Sequence, residues 1–336
     1  MKKMIIEKPY IIAEMACSHE GQVPLAKKII DAAGDAGANA IQFQIWTADE
    51  VIVRHSPDYK KLKNIELKRR EWLSLLNYTR ENWPSLSIIA CVYDEESITF
   101  CEEIGVDAYK IHAADLSNPK VLASVARTNK RIDLSIGAAT LSEIDLAIKH
   151  LRSESDSTIW LMYGYQLFPT SVTSLNLEYM NKISNLYGLT VGYQDHCDAD
   201  KSESFWLPAA VFGMGINVIE KHLTHDRSFK GLDHESALNP AEFKKFVKMI
   251  NTINISRGSG FPREFNEDEK NYREYSRKSL VARHNLNQGY EVKNNDLIAL
   301  RAPKLGVPPD CISMIVGKKL KKDISVHDLV KIEDLQ

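Results

Sequence analysis

The sequence predicts an α/β fold: a parallel (β/α)8 TIM barrel over residues 1–254, a linker over 255–276 and a small β-rich domain over 277–336. Eight short β-rich runs alternate with longer amphipathic stretches, as in a parallel sheet with crossover helices. The count of eight favours a closed barrel over an open sheet. Beyond residue 276, short apolar runs are separated by turn residues, which indicates the β-rich domain. A chain of 336 residues is long enough for a barrel of this kind and a small second domain.

Each predicted element has a local signal. The β-rich runs predict strands over residues 10–15, 40–44, 87–92, 108–112, 132–135, 158–163, 189–192 and 218–221. Apolar residues at helical spacing predict helices over 25–37, 69–83, 95–104, 141–151 and 203–213. The segment 255–266 carries Gly, Ser and Pro, which is typical of a linker, and a charged helix is predicted over 267–275.

Composition and charge exclude several classes of protein. Lysine and arginine number 43 against 45 acidic residues, a net charge of −2, whereas nucleic-acid binders usually carry a strong positive excess. The five cysteines form no CxxC pair, which argues against a disulfide framework or a cysteine zinc site. No apolar run approaches the ~18 residues of a membrane span, and the start of the chain lacks the pattern of a signal peptide. We therefore expect a cytoplasmic protein without a membrane or nucleic-acid partner.

Polar and ionisable residues stand at the carboxyl ends of the predicted strands, where (β/α)8 barrels carry their chemistry. Each alone is also explained as a hydrogen-bonded polar cap, but their convergence favours a shared site. The set comprises Glu14, Gln42, Gln44, Cys91, Lys110, His112, Ser135, Gln166, Gln194, Glu220, Lys221 and Asp233. A lysine on a barrel strand is unusual. The Lys110 side chain either reaches the rim or binds an anion such as phosphate or carboxylate.

His196 and His222 lie at the ends of adjacent predicted strands. Two imidazoles, with water completing the coordination shell, suit a borderline divalent cation such as Mn²⁺ or Zn²⁺. The spacing of the two residues is not diagnostic of a metal, and a structural role for both histidines is the alternative.

Longer motifs carry a resemblance that runs from Tyr10 to Asp334. They are IIAEMACSHEG, YKIHAAD, GYQDH, EKHLTHDRSFKGLDHESAL and the C-terminal RKSLVARHNLNQGYEV. The chain resembles the sialic acid synthase family, which includes bacterial N-acetylneuraminate, legionaminate and pseudaminate synthases. Its C-terminal portion is similar to the SAF (antifreeze-like) domain of these enzymes.

The resemblance implies a transferase that condenses phosphoenolpyruvate with an open-chain acylamino sugar and releases a nonulosonic acid and phosphate. It implies a domain-swapped homodimer and a divalent metal ion on His196 and His222. Mn²⁺ is the first candidate, with Mg²⁺, Co²⁺ or Zn²⁺ as alternatives. The matching catalytic positions are Glu14, Lys110, Glu220 and Asp233. The substrate-binding candidates are Gln42, Gln44, Ser135, Gln166, Gln194, Lys221 and Arg301.

The chain departs from the family pattern at several phosphate contacts. Gln42 stands where the family has lysine, Cys91 where it has threonine and Ala113 where it has serine. Each charge-assisted hydrogen bond that is lost costs about 1.5–3 kcal/mol. Weaker phosphate binding is therefore expected unless other cations replace the lysine.

Lys221, Arg227 and His112 are the candidates to replace the missing lysine. Arg301 is the candidate to replace the family's sugar-binding arginine, because Ala302 occupies that position. Besides the synthase function, the sequence leaves two alternative functions. One is an aldolase that uses another donor such as pyruvate. The other is a catalytically silent sugar- or metal-binding homologue.

Overall fold

The computed structural model describes residues 8–258 and 262–336, which divide into two compact units after Gly258. The first unit is a closed barrel of eight parallel strands in chain order, which confirms the predicted fold class. Every predicted strand is present, with its ends shifted by at most three residues. The strands are β1 (Tyr10–Glu14), β2 (Ala40–Ile45), β3 (Ser87–Val92), β4 (Ala108–Ile111), β5 (Arg131–Ser135), β6 (Ile159–Tyr163), β7 (Thr190–Asp195) and β8 (Val218–His222).

Helices connect successive strands around the outside of the barrel. Gly37 shows how such a helix ends: it follows the first helix with φ 78°, a left-handed conformation that glycine adopts without steric cost. The helices are α1 (Val23–Ala36), α2 (Ala48–Val51), α3 (Tyr59–Ile65), α4 (Arg69–Asn82), α5 (Glu95–Ile104), α6 (Pro119–Arg127), α7 (Leu141–Glu154), α8 (Glu178–Tyr187), α9 (Glu203–Gly213), α10 (Pro240–Arg257) and α11 (Glu267–Ser276).

Successive residues of each strand face opposite sides of the barrel wall. Outward residues such as Ile11 and Phe43 belong to the large apolar core formed with the helices. Inward residues near the amino ends, such as Ile12, Ile89 and Val218, form a second apolar cluster inside the barrel. Two residues further along the same three strands, the inward positions are Glu14, Cys91 and Glu220. The barrel interior therefore changes from apolar to polar towards the carboxyl ends of the strands.

A cluster at the amino-terminal end of the barrel, the basal cluster, consists of Tyr10, Arg131, Asp133 and Trp160. The Arg131 guanidinium lies 3.9 Å from the ring centroid of Trp160 and 5.0 Å from that of Tyr10. It also donates to both carboxylate oxygens of Asp133, at 2.9 and 3.0 Å. Because Asp133 is fully buried, this bidentate pair compensates for the lost hydration of its charge. The basal cluster thus packs together at this end of the barrel.

The predicted linker, residues 255–276, contains more helix than expected. Helix α10 continues to Arg257, so the predicted barrel boundary at residue 254 falls inside a helix. Helix α11 covers Glu267–Ser276 and corresponds to the predicted charged helix. Residues 259–261, also part of the predicted linker, lie outside the described residues, as do residues 1–7 at the start of the chain.

The second unit is β-rich, as predicted. Strands β9 (Lys278–Ala282) and β10 (Leu297–Arg301) pair antiparallel, and isolated bridges such as Leu286 with Ile324 join other segments. The unit has its own apolar core, which includes Leu280, Ala282, Leu286, Val292, Ile315, Leu320 and Val330. This core is separate from the core of the barrel. The C-terminal domain therefore has an apolar core of its own.

The five cysteines are free thiols, and four of them are buried. Burial raises the pKa of Cys101 to about 12, so its thiol stays protonated and unreactive near neutral pH. Within residues 8–258 and 262–336, no helix has the length and apolar character needed to cross a bilayer.

Candidate active site

The carboxyl ends of the strands enclose a cavity of about 140 Å³. Side chains from seven strands line it, together with residues from the loops after β4, β6, β7 and β8. The lining residues are Glu14, Gln42, Gln44, Cys91, Lys110, His112, Ser135, Gln166, Phe168, Gln194, His196, Glu220, His222 and Asp233. Apart from Lys221 and Arg301, all of the predicted site residues are in this set. The structure therefore brings them together as the strand-end rule predicts.

A buried ion pair joins β4 to β8 in this cavity. Lys110 Nζ lies 2.6 Å from both carboxylate oxygens of Glu220 and also donates to Oε1 of Gln194. Gln194 Nε2 in turn donates to Ser135 Oγ at 3.1 Å. Burial by itself lowers the pKa of Lys110, but the Glu220 and Glu14 carboxylates outweigh it and the pKa is raised. The Lys110 ammonium therefore stays charged, and Glu220 is its counter-ion.

Glu14 is a second buried carboxyl in the cavity. Its Oε1 accepts from the Ala16 N–H at 2.5 Å and from Gln44 Nε2 at 3.5 Å, whereas its Oε2 has no partner among the described residues. Burial, and then the charge of Glu220, raise the pKa of Glu14 well above its ordinary value, against the opposing effect of Lys110. A raised pKa favours the protonated carboxyl and moves its proton exchange to higher pH, the direction that general acid–base catalysis uses.

Asp233 lies in the loop after β8, where burial and then the nearby Glu235 raise its pKa to about 6. A carboxyl whose folded-state pKa is raised binds protons more tightly in the folded state than in the unfolded state. Its contribution to stability is therefore present at low pH and is lost as the pH rises from its ordinary pKa of 3.8 to about 6.

We expect the Asp233→Asn variant to lack this pH dependence. In the wild type, the titration of Asp233 should lower the free energy of unfolding by about 1–3 kcal/mol between pH 4 and 6. The variant should not show this decrease. Urea denaturation at several pH values measures the free energy of unfolding. The control is Asp35→Asn, because Asp35 is exposed. Equal slopes for the wild type and Asp233→Asn would contradict the raised pKa.

His196 and His222 lie side by side, with ring centroids 5.3 Å apart. His196 Nδ1 hydrogen-bonds to the carbonyl oxygen of Tyr165 at 2.9 Å, which leaves Nε2 with its lone pair available. His222 Nδ1 is buried with no partner in the described chain. Burial lowers the pKa of both rings, that of His196 to about 4, so both are neutral at neutral pH. Neutral imidazoles are the form that binds a metal ion.

The two histidines therefore fit a site with two protein ligands. No group of three or more His, Cys, Asp or Glu side chains within residues 8–258 and 262–336 has a metal-binding arrangement. Any ion at the pair would complete its coordination with water or substrate. Imidazole nitrogen suits Zn²⁺ better than Mg²⁺, and the water ligands that complete the shell also suit Mn²⁺.

Of the lining residues, only Phe168 is absent from those that the sequence analysis singled out. Cys91 and His112 belong to the predicted set of polar strand ends, and the structure places both at the cavity. Burial, and then the Lys110 charge, lower the pKa of His112 to about 4, so the ring adds no charge. The Phe168 ring centroid lies 4.3 Å from that of His196. Because Phe168 is apolar, a search for polar strand ends does not find it.

The structure does not bring Lys221 to the cavity, so the prediction that it binds substrate is wrong. Lys221 stands between the inward-facing Glu220 and His222, and its side chain faces the opposite side of the wall. Its Nζ lies 2.5 Å from Oδ2 of Asp195, and both side chains are fully buried. Asp195 Oδ1 accepts from the Tyr193 hydroxyl at 3.0 Å. The Lys221–Asp195 pair is thus a structural connection between β7 and β8.

Arg227, a candidate to replace the missing lysine, does not line the cavity. Its Nη1 lies 2.6 Å from Glu242 and its Nη2 lies 2.8 Å from Asp200, so its charge is already paired. Arg301 ends β10 in the second unit, where its side chain is exposed, and its role in binding the sugar stays a prediction.

Two larger pockets adjoin the cavity on the same face of the barrel. One, of about 390 Å³, shares Gln44 and His112 with the cavity and includes Trp46 and Tyr93 in its walls. The other, of about 300 Å³, shares His112 and Gln166, and half of its lining residues are alanine or glycine. Together they provide room for a substrate that is larger than the inner cavity.

Both units of the chain match known protein families. Residues 29–261 match the NeuB family, and residues 277–336 match the SAF domain. The chain belongs to the NeuB family. This confirms the resemblance that the sequence motifs predicted and assigns the β-rich unit as an SAF domain.

Several relatives of this NeuB family member are named as synthases. It is 31% identical to N,N'-diacetyllegionaminic acid synthase of Legionella pneumophila, over 97% of this chain and 94% of the relative. It is 27% identical to a pseudaminic acid synthase of Campylobacter jejuni, over 98% and 97% of the two chains. The crystal structure of N-acetylneuraminic acid synthetase from Leptospira borgpetersenii, in complex with citrate, superposes with a TM-score of 0.71. That match has 29% identity and covers 79% of this chain and 91% of that one.

Proposed function

We propose that this protein joins a three-carbon enol donor to the aldehyde of an open-chain acylamino sugar and so forms a nonulosonic acid. One observation carries the proposal: the buried Lys110–Glu220 pair and Glu14 share a small cavity with two neutral imidazoles. The names of the relatives, which are sialic, legionaminic and pseudaminic acid synthases, support the same chemistry.

The cavity residues have separate roles in the proposed reaction. His196 and His222 would hold a divalent ion, foremost Mn²⁺, which supplies a Lewis acid for the aldehyde oxygen. Lys110 faces the donor carboxylate with its positive charge. Glu14, which has one unpartnered oxygen, moves a proton, and Asp233 binds a sugar hydroxyl.

The three-carbon donor can enter in two chemical forms. Phosphoenolpyruvate, which the sequence resemblance implies, would consume water and release phosphate. A 2-oxo acid such as pyruvate would lead to the same carbon skeleton without phosphate release. The proposal includes a homodimer, which the resemblance also implies, and light scattering of the purified protein tests it.

The test is product formation. Purified protein is incubated with Mn²⁺, a panel of acylamino hexoses and either donor, and the products are identified by mass spectrometry. We expect a product that contains the acceptor plus the three-carbon unit and that requires both substrates. If metal-loaded protein forms no product from any acylamino hexose with either donor, the chain is a silent homologue and the proposal fails.

A further inference from the structure

We propose that His234 and Glu20 are a positioning pair that holds Asp233 in the cavity, where its carboxylate binds a hydroxyl of the sugar. The inference rests on the proposed function and adds two residues that do not line the cavity themselves. It follows from the backbone of Asp233, from the contact between His234 and Glu20, and from a glycine that makes room for this contact.

Asp233 depends on its backbone for its position in the cavity. Among the described residues, no hydrogen bond to its carboxylate holds the side chain in place. Its backbone has φ 64° and ψ 5°, the left-handed conformation that residues other than glycine rarely adopt. Such a conformation persists where the surrounding structure enforces it. The residues packed around this turn therefore decide where the carboxylate lies.

The ring of His234, the next residue, anchors this turn. His234 is fully buried, and its Nε2 lies 3.3 Å from Oε1 of Glu20 and 3.3 Å from Oγ1 of Thr224. Burial lowers the pKa of His234, although Glu20 acts in the opposite direction, so the ring is neutral near neutral pH. Because an ionised carboxylate can only accept a hydrogen bond, the Nε2 that faces Glu20 carries the proton. Glu20 thus selects the tautomer and the orientation of the ring.

The contact joins two loops at the carboxyl end of the barrel. The β1 loop, residues 15–22, contains Glu20, and the β8 loop, residues 223–239, contains both His234 and Asp233. Oε1 of Glu20 is buried and has no other partner in the described chain, so no other residue competes with His234 for this oxygen. Without the contact, the β8 loop would be free to move away from the β1 loop, and Asp233 would move with it.

The second carboxyl of the cavity depends on the same two loops. Ala16 of the β1 loop donates its N–H to Oε1 of Glu14 at 2.5 Å. The carbonyl oxygen of Ser18, in the same loop, lies 3.1 Å from Nδ1 of His225 in the β8 loop. The two loops therefore meet at two places, and together they set the distance between Glu14 and Asp233.

Gly231 leaves the space that the contact needs. A Cβ atom at this residue would lie 1.6 Å from Oε1 of Glu20 and 3.0 Å from Nε2 of His234. Any side chain at this position would therefore displace the Glu20 carboxylate from the ring. Because the carboxylate is the end of a flexible side chain, its displacement would cost the fold little. Gly231→Ala thus breaks the contact and leaves both partners in the sequence.

The experiment compares the kinetics of variants with the acylamino hexose that gives product in the panel assay. Glu20→Ala should raise the KM for this sugar about tenfold, the effect of one weakened hydrogen bond to a charged group, and leave the KM for the donor unchanged. Gly231→Ala should have the same effect. The controls are Glu103→Ala and Gly213→Ala, because both residues are exposed and the Cβ position of Gly213 has open space around it. Both controls should behave like the wild type.

A conservative variant distinguishes the contact from the bulk of the ring. His234→Gln keeps an N–H donor within reach of Glu20 and should retain most of the affinity for the sugar. His234→Ala removes the donor and should raise the KM for the sugar as Glu20→Ala does. Circular dichroism establishes that both variants keep their fold.

A double variant distinguishes positioning from a general role in the fold. If the pair acts through Asp233, adding Glu20→Ala to Asp233→Gly should change the KM for the sugar by less than about twofold. Glycine suits the left-handed backbone at this position, so Asp233→Gly removes the carboxylate without straining the turn. A general role in the fold would instead give Glu20→Ala the same effect in both backgrounds.

Three results would overturn the inference and leave the proposed function standing. They are a wild-type KM for the sugar in Glu20→Ala, a wild-type KM in Gly231→Ala, and an undiminished effect of Glu20→Ala in the Asp233→Gly background. If the wild type forms no product with any acylamino hexose, the proposed function fails and the inference fails with it. A raised KM for the sugar in both single variants, lost when Asp233 is absent, would support both.

Discussion

Replacing His222 with alanine should abolish metal binding and condensation together. His196 and His222 are the two imidazoles in contact at the cavity, and an ion held by so few protein ligands cannot lose one. Loss of a group that merely orients a metal ligand already costs about 10–100-fold in affinity, so loss of a ligand itself should cost more. Calorimetry with Mn²⁺ measures the affinity, and mass spectrometry measures the product.

The exposed His150 on α7 provides the control, since His150→Ala should bind Mn²⁺ like the wild type. Circular dichroism establishes that both variants keep their fold. Wild-type affinity for Mn²⁺ in His222→Ala would show that the ion binds elsewhere, and turnover without bound metal would remove the Lewis-acid role.

Lys221→Met should destabilise the protein by about 3–5 kcal/mol, the usual cost of leaving a buried charge without its partner. The change removes the ammonium that lies 2.5 Å from Asp195 and leaves that carboxylate fully buried. Urea denaturation measures the free energy of unfolding. Lys201→Met serves as the control because the Lys201 side chain is 65% exposed and its ion pair with Asp198 should contribute little.

A double variant separates the lost charge from lost packing. Asp195→Asn in the Lys221→Met background removes the unpaired charge and should restore much of the stability. In the wild type, burial raises the pKa of Asp195 but Lys221 more than offsets this, so the pKa is lowered. The pair therefore stabilises the fold above the ordinary Asp pKa, and this contribution is lost as the pH falls. No recovery in the double variant would mean that packing, and not charge, accounts for the effect.

The fold and most of the site followed from local patterns in the sequence. Alternation of β-rich and helical runs located all eight strands, and their carboxyl ends located the cavity. The same alternation, applied residue by residue, also separates Lys221 from its inward-facing neighbours Glu220 and His222. The error at Lys221 came from treating a run of polar residues as one face of a strand.

Other features depend on contacts between distant parts of the chain. Lys110 and Glu220 lie on β4 and β8, and no local pattern pairs them. The pairing of these two side chains is therefore a property of the folded barrel that local sequence patterns do not contain. The linker was predicted to begin at residue 255, inside α10, because polar and glycine residues around Arg257 are typical of both a helix end and a linker.

The basal cluster occupies the amino-terminal end of the barrel interior with Tyr10, Arg131 and Trp160. Under the proposed function, both substrates would therefore approach the cavity from the carboxyl ends of the strands. The smaller donor would have to bind in the inner cavity before the sugar occupies the outer pockets. An excess of sugar would then inhibit the reaction by occupying those pockets first.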